Sequence, residues 1–197
     1  MTNLISVRAI LLSLISLVFL SGCTPSLNPI TVVQRVVEDR SATDIAKDTE
    51  IVAKANVAMA DSKVISASTI VYEQRLVVYG IVTDNQKYKK LERDVRAIDG
   101  VKKLYWHVKY MSESEKESRD AELVGLADGV AAQAKIEAEW IKSDIVSSTN
   151  FRVGIDPFGT AYVMGRGKTG KERDAALAIV RGTEDIRRVK NYSVVRP

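Results

Sequence analysis

Residues 143–166 read SDIVSSTNFRVGIDPFGTAYVMGR. Two short β-rich runs, Asn150–Asp156 and Thr160–Arg166, flank the tetrapeptide Asp156-Pro157-Phe158-Gly159. Proline at the second turn position and glycine at the fourth suit a type I turn, so the stretch predicts a hairpin. A helical period lies before it, near Asp128–Ser143, and another follows over Gly170–Thr183. A last β-rich run covers Arg188–Val195. The predicted order is helix, strand, strand, helix, strand.

The same order occurs earlier in the chain. At a shift of 85 residues Gly80 of VVYG falls on Gly165 of YVMG, Val78 on Val163 and Val95 on Val180. Lys63-Val64-Ile65-Ser66 resembles Asp144-Ile145-Val146-Ser147 at a shift of 81, which gives the second copy a longer loop before its first strand. In the first copy Asp44–Ala60 reads as a helix, with Ile51, Ala55 and Met59 on one face. Ser68–Tyr72 and Leu76–Val82 read as strands joined by the polar Glu73-Gln74-Arg75. Asn85–Ile98 is a second helix, with Leu91, Val95 and Ile98 as its stripe and Asp99-Gly100 as its stop. Val101–Met111 closes the copy as a strand, with Leu104, Trp106, Val108 and Tyr110 on one face and Tyr105, His107 and Lys109 on the other.

Residues 112–119, SESEKESR, contain no apolar side chain and mark the boundary between the copies. The expected organisation is therefore residues 39–111 as one domain, 112–119 as a linker and 120–197 as a second domain. Each is predicted to be an α+β sandwich, a three-stranded sheet with two helices on one face. Units this small have modest cores, so the copies are expected to pack on each other or on the preceding segment. Basic and acidic side chains number 29 and 25 and are interspersed, a surplus too small to argue for nucleic acid.

The chain opens MTNLISVRAILLSLISLVFLSGCTPSLNP, with its one cysteine at position 23. One charged residue, Arg8, precedes an apolar run, Ala9–Leu20, too short for the roughly 20 residues of a membrane span. The tetrad Leu20-Ser21-Gly22-Cys23 resembles the lipobox of bacterial lipoproteins. That resemblance implies a signal peptide over residues 1–22, cleavage between Gly22 and Cys23, and palmitate-type acylation of Cys23. Several acyl chains hold firmly where one holds marginally, each methylene contributing about 0.8 kcal/mol. Threonine rather than aspartate at position 24 is similar to the pattern sorted to the outer membrane. Residues 23–38 then read as a lipidated tether, or in part as a short strand at Ile30–Val37.

Two α-β-β-α-β copies, each with apolar-x-apolar-x-Gly at its second strand, resemble BON domains, named from bacterial osmotic-shock and nodulation proteins. SDIVSSTNFRVGIDPFGTAYVMGR carries the likeness in the second copy, and DRSATDIAKDTEIVAKANVAMADSKV with RLVVYGIVTD in the first. With the lipobox, the chain resembles a dual-BON outer-membrane lipoprotein facing the periplasm. The resemblance implies a non-enzymatic module without cofactors that binds anionic phospholipid and supports envelope integrity. The alternative is a tethered protein–protein interaction module of an envelope assembly. The first copy has Glu73-Gln74-Arg75 where the family often has Asn-Gly, and Gly129-Val130-Ala131-Ala132 supplies no aromatic wedge at the start of the second copy's first helix.

Catalytic readings find no converging set. His107 is the single histidine, and a Ser/His, Cys/His or metal site needs partners that no motif provides. Gly167-Lys168-Thr169 has the end of a phosphate loop, but the first glycine would fall at Tyr162. A weaker anion site is expected where helix amides meet Arg166, Lys168 and Lys171. Trp140 suits either headgroup depth or, with Ile136 four residues before it, the core. Lys135 and Lys142 share a helix face. These six residues, Lys135, Trp140, Lys142, Arg166, Lys168 and Lys171, are the candidate phospholipid contacts.

Overall fold

The computed structural model describes residues 39–196, which fall within one compact unit. The expectations for the signal, Cys23 and the tether lie outside the described residues. The chain is α+β, with two three-stranded sheets and helices on each.

Helix α1 (Ala42–Asp61) begins two residues before the predicted start, because Ser41 supplies the N-cap and its hydroxyl accepts from the Asp44 amide at 3.1 Å. Strands β1 (Ala67–Tyr72) and β2 (Arg75–Val82) pair antiparallel. Helix α2 (Asn85–Arg96) is capped by the Asp84 carboxylate, which accepts from the Gln86 and Lys87 amides. It carries the chain back so that β3 (Lys103–Tyr110) runs parallel to β2. Both helices cover one sheet face. Ile51, Met59, Leu76, Val78, Leu91 and Val95 fill the layer between, each contributing about 1.5–3 kcal/mol when fully buried.

The segment expected as a plain linker is ordered. Ser112 caps a short helix, α3 (Glu113–Ser118), and a 3-10 turn follows at Asp120–Glu122. The second unit then repeats the order with α4 (Leu126–Lys142), β4 (Phe151–Ile155), β5 (Thr160–Gly167), α5 (Gly170–Arg181) and β6 (Arg188–Val195). Its hairpin is antiparallel and its crossover parallel, as in the first unit. Ile136, Trp140, Phe151, Val153, Val163 and Val180 form its helix-side core.

The glycine that ends each motif has a steric cause. Gly80 and Gly165 have φ of 141° and 142°, in the region that favours glycine. A Cβ at Gly80 would lie 2.9 Å from Ala67 Cα and closer still to the Ser66 carbonyl. At Gly165 it would lie 2.9 Å from Phe151 Cα and closer still to the Asn150 carbonyl.

The two hairpin turns are built differently. Between β4 and β5 the Asp156 carboxylate accepts from the amides of Phe158 at 2.9 Å and Thr160 at 2.8 Å, and from the Tyr162 hydroxyl at 2.8 Å. Gly159, at φ 70°, completes that turn. Between β1 and β2, Glu73 and Gln74 both adopt positive φ, 51° and 60°, which a type I′ turn requires and Asn-Gly usually supplies. A helix residue compensates here. The buried Asp48 carboxylate accepts from the Glu73 amide at 2.8 Å and the Gln74 amide at 2.6 Å, and it also pairs with Arg40.

Because side chains alternate along a strand, β2 sends Leu76 and Val78 to its helices and Val77 and Tyr79 the other way. That other face packs on the matching face of the second sheet, through Tyr72, Val77, Tyr79, Tyr162 and Met164. Tyr79 stacks on Tyr162 with centroids 5.4 Å apart, and Tyr105 on Tyr192 at 3.9 Å. Glu73, before β2, faces Arg166 near the end of β5, while Ile81, near the end of β2, meets Phe158 ahead of β5. The stacked strands β2 and β5 therefore run in opposite senses.

Candidate functional site

The six expected contact residues do not form one patch. Trp140 is 1% exposed, packs on Phe151 and donates its indole N–H to the Ala176 carbonyl at 3.1 Å. This corrects the headgroup reading: the ring lies in the core, and its polar edge is satisfied there. Arg166 and Lys168 stand together at the end of β5, but both are engaged. The Lys168 ammonium lies 3.0 Å from the Asp39 carboxylate, and Arg166 donates to the Asp39 carbonyl at 3.1 Å and faces Glu73 at 4.0 Å. Asp39 in turn bonds Asn150 through both backbone and side chain. The Asn150 hydrogen bond first, and then Lys168, holds the Asp39 carboxyl below its ordinary value.

The start of α5 does not offer the free amides the sequence led us to expect. The Thr169 hydroxyl accepts from the Glu172 amide at 3.1 Å, and the buried Glu172 carboxylate accepts from the amides of Lys168 and Ser147. A carboxylate already occupies the place an anion would take. Lys171 is exposed at this end. On α4, Lys135 is exposed and Lys142 is exposed but paired with Glu139 at 2.8 Å.

Sequence reasoning missed the outer surface of α4. Ala132, Ile136 and Trp140 face the core. At about 100° per residue, Val130, Ala134 and Ile141 fall on the opposite side, and Leu126 lies on the flank beside Glu137. Leu126 is 87% exposed, Val130 60% and Ile141 57%. Ala127, Ala131 and Ala138 continue the strip towards Lys135 and Lys142 at one margin, with Glu137 on the other. The signal was present as spacing, but it could be read only once Trp140 was placed inside.

His107 lies on the strand face opposite Leu104 and Trp106, as the alternation predicts, and the second sheet covers that face. Its ring stacks on Tyr162 at 4.5 Å, and its Nε2 is hydrogen-bonded to the Tyr192 hydroxyl. Burial, and then the nearby Lys190, lowers its pKa below the usual 6.5. Burial also raises the pKa of Tyr79 to about 12. The interface is thus built to keep its polar aromatics uncharged. Among the described residues, no His, Cys, Asp and Glu side chains gather in a group able to hold a metal ion. Among the same residues, no helix is long and apolar enough to cross a membrane.

Comparison with known proteins gives the class of the second unit: residues 128–197 match the BON domain family, so this unit carries a BON domain. No curated protein matches the chain significantly. Among solved structures, the C-terminal domain of CdsD, the structural protein of the type III secretion system of Chlamydia trachomatis, is 11% identical. That match has a TM-score of 0.28 and covers 74% of this chain and 64% of the CdsD chain. A second CdsD structure is 12% identical, with a TM-score of 0.30 and coverage of 75% of this chain and 93% of that one.

Proposed function

We propose that this chain is a non-enzymatic lipoprotein of the bacterial outer membrane, anchored through Cys23 and facing the periplasm, that binds anionic phospholipid and supports envelope integrity. We read the first unit as a second BON-like domain. The support for that is its strand order, its register and a glycine of the same conformation at the same position. The observation that carries the binding reading is the exposed apolar strip of α4 within the BON domain, bordered by Lys135 and Lys142. Such a strip can lie at the headgroup boundary while the lysines meet anionic lipid.

Flotation of residues 24–197 with vesicles tests it. Binding should need anionic lipid, and Leu126→Asp with Val130→Asp should abolish it while leaving the melting curve unchanged. Equal failure to float with and without anionic lipid would sink the lipid reading. Acyl labelling that persists in Cys23→Ser would sink the anchor. The same uncharged strip also suits a partner helix, and cross-linking from position 130 in cells separates a protein adduct from a lipid contact.

A further inference from the structure

A second surface lies where β2 and β3 end and β5 and β6 begin. Phe158, in the β4–β5 turn, packs there on Ile81 and Met111 of the first unit and on Leu123 of the connector. The Lys109 ammonium sits 4.0 Å from the Phe158 ring centroid, and the Arg119 guanidinium 5.8 Å from it. On the opposite wall the amides of Arg187 and Arg188 donate to the Gly159 carbonyl at 2.8 and 3.2 Å, which sets both side chains at the start of β6. A Cβ at Gly159 would lie 3.1 Å from Arg187 Cγ, so glycine lets that stem lie against the turn. Arg187 is steered further by donating to the Glu122 carbonyl.

The result is a cleft of about 360 Å3 lined by Arg119, Glu122, Phe158, Arg187 and Arg188. A hollow of about 280 Å3 adjoins it, sharing Arg187 and Arg188 and adding Arg181. Glu122 is the one acid among these lining residues, and Arg119 neutralises it at 3.0 Å. Among the described residues Arg181, Arg187 and Arg188 make no ion pair. Unpaired like charges in a concave site raise the local concentration of anions. Guanidinium forks match phosphate oxygens in pairs, where an ammonium offers only a point charge. A space of a few hundred Å3 is that of a small organic ligand rather than a bare ion.

We propose that this seam cleft, lined by the connector and the second unit and backed through Phe158 by Ile81, Lys109 and Met111 of the first, binds the phosphate ester of a small polyol. The phosphate would sit between Arg187 and Arg188, with Arg119 across from them. The site is separate from the strip on α4 and goes beyond the reading above.

The test uses the full chain in neutral detergent or in phosphatidylcholine vesicles, treated with the arginine reagent phenylglyoxal and read by mass spectrometry. Glycerol 3-phosphate in one arm, or phosphatidic acid in the vesicles in the other, should slow modification of Arg187 and Arg188 about tenfold once it is present at about ten times its dissociation constant, because the reagent reaches only the unoccupied site. Arg96, on α2, should react at an unchanged rate. Protection by glycerol 3-phosphate supports a soluble ligand, and protection only by phosphatidic acid supports a headgroup. Protection at neither, or equal protection of Arg96, overturns the proposal. Arg188→Glu and, separately, Lys109→Ser should weaken protection at Arg187; full protection in both variants also overturns it. Leu126→Asp should leave the soluble arm unchanged, so failure of the α4 reading and failure of this one are distinguishable.

Discussion

His107 and Tyr192 occupy the same place in their two sheets, each one residue before the partner of a hairpin glycine, and they bond to each other, Nε2 to hydroxyl, at 2.7 Å. The pair therefore marks where the two halves of the molecule meet around an approximate two-fold axis. It also sets a pH dependence. The unfolded ring takes a proton as pH falls through 6.5, whereas the folded ring, held lower by burial and Lys190, takes it later. Stability present above 6.5 is thus lost as pH falls below it, over the interval between the two values. His107→Gln should flatten this interval in urea midpoints measured from about pH 7.5 to 5. An identical slope in the variant would refute the assignment.

Asp48 joins three things: the β1–β2 turn, helix α1 and Arg40. Asp48→Ala leaves the Arg40 guanidinium buried without its carboxylate and leaves the Glu73 and Gln74 amides unpaired. We expect a loss of about 3–5 kcal/mol in denaturant unfolding. Replacing Glu73-Gln74 by Asn-Gly in the same background should restore part of it, because that pair adopts positive φ without help. No recovery would mean that Asp48 acts through Arg40 alone.

The two motif glycines should respond alike. Gly80→Ala and Gly165→Ala each place a methyl group against the neighbouring strand's backbone, in a conformation that other residues rarely adopt. Each should cost on the order of 3 kcal/mol or more, read as a fall in the urea midpoint. A neutral substitution at either position would show that the strands can separate there without penalty.

Trp140→Ala should cost about 3–5 kcal/mol as a core deletion. Trp140→Phe should cost about 0.5–1.5 kcal/mol for the lost indole hydrogen bond, since the Ala176 carbonyl keeps its helical partner within α5. In a Trp106→Phe background, Trp140 emission should be blue, resist acrylamide and stay unchanged when anionic vesicles are added. A vesicle-dependent shift would return Trp140 to the surface.

The order of elements was legible because the two periodicities alternate cleanly and because Gly80 and Gly165 recur at one spacing. Helix ends were less so: the cap at Ser41 moves the start of α1, and Ser112 turns an apolar-free stretch into a helix. The meeting of the two sheets was obscured by chemistry. Tyr105, His107 and Lys109 alternate with apolar residues as a solvated face would, yet tyrosine and histidine rings can cover one another while keeping their polar atoms bonded. The candidate cations misled for a related reason. Arg166 and Lys168 look free in a local window, but their partners, Glu73 and Asp39, lie more than ninety residues away in sequence. The seam cleft is likewise assembled from three separate segments and has no contiguous motif.

Asp39 bonds Asn150, Arg166 and Lys168 of the second unit, and the next residue, Arg40, is buried against Asp48 and over the Tyr72 ring of the first. A pull arriving along the chain at residue 39 is therefore divided between both halves at once. The contacts of Asp39 with Asn150, Arg166 and Lys168 and the Arg40–Asp48 pair must give way before α1 can unwind from its first turn. Mechanically, the molecule hangs from its middle.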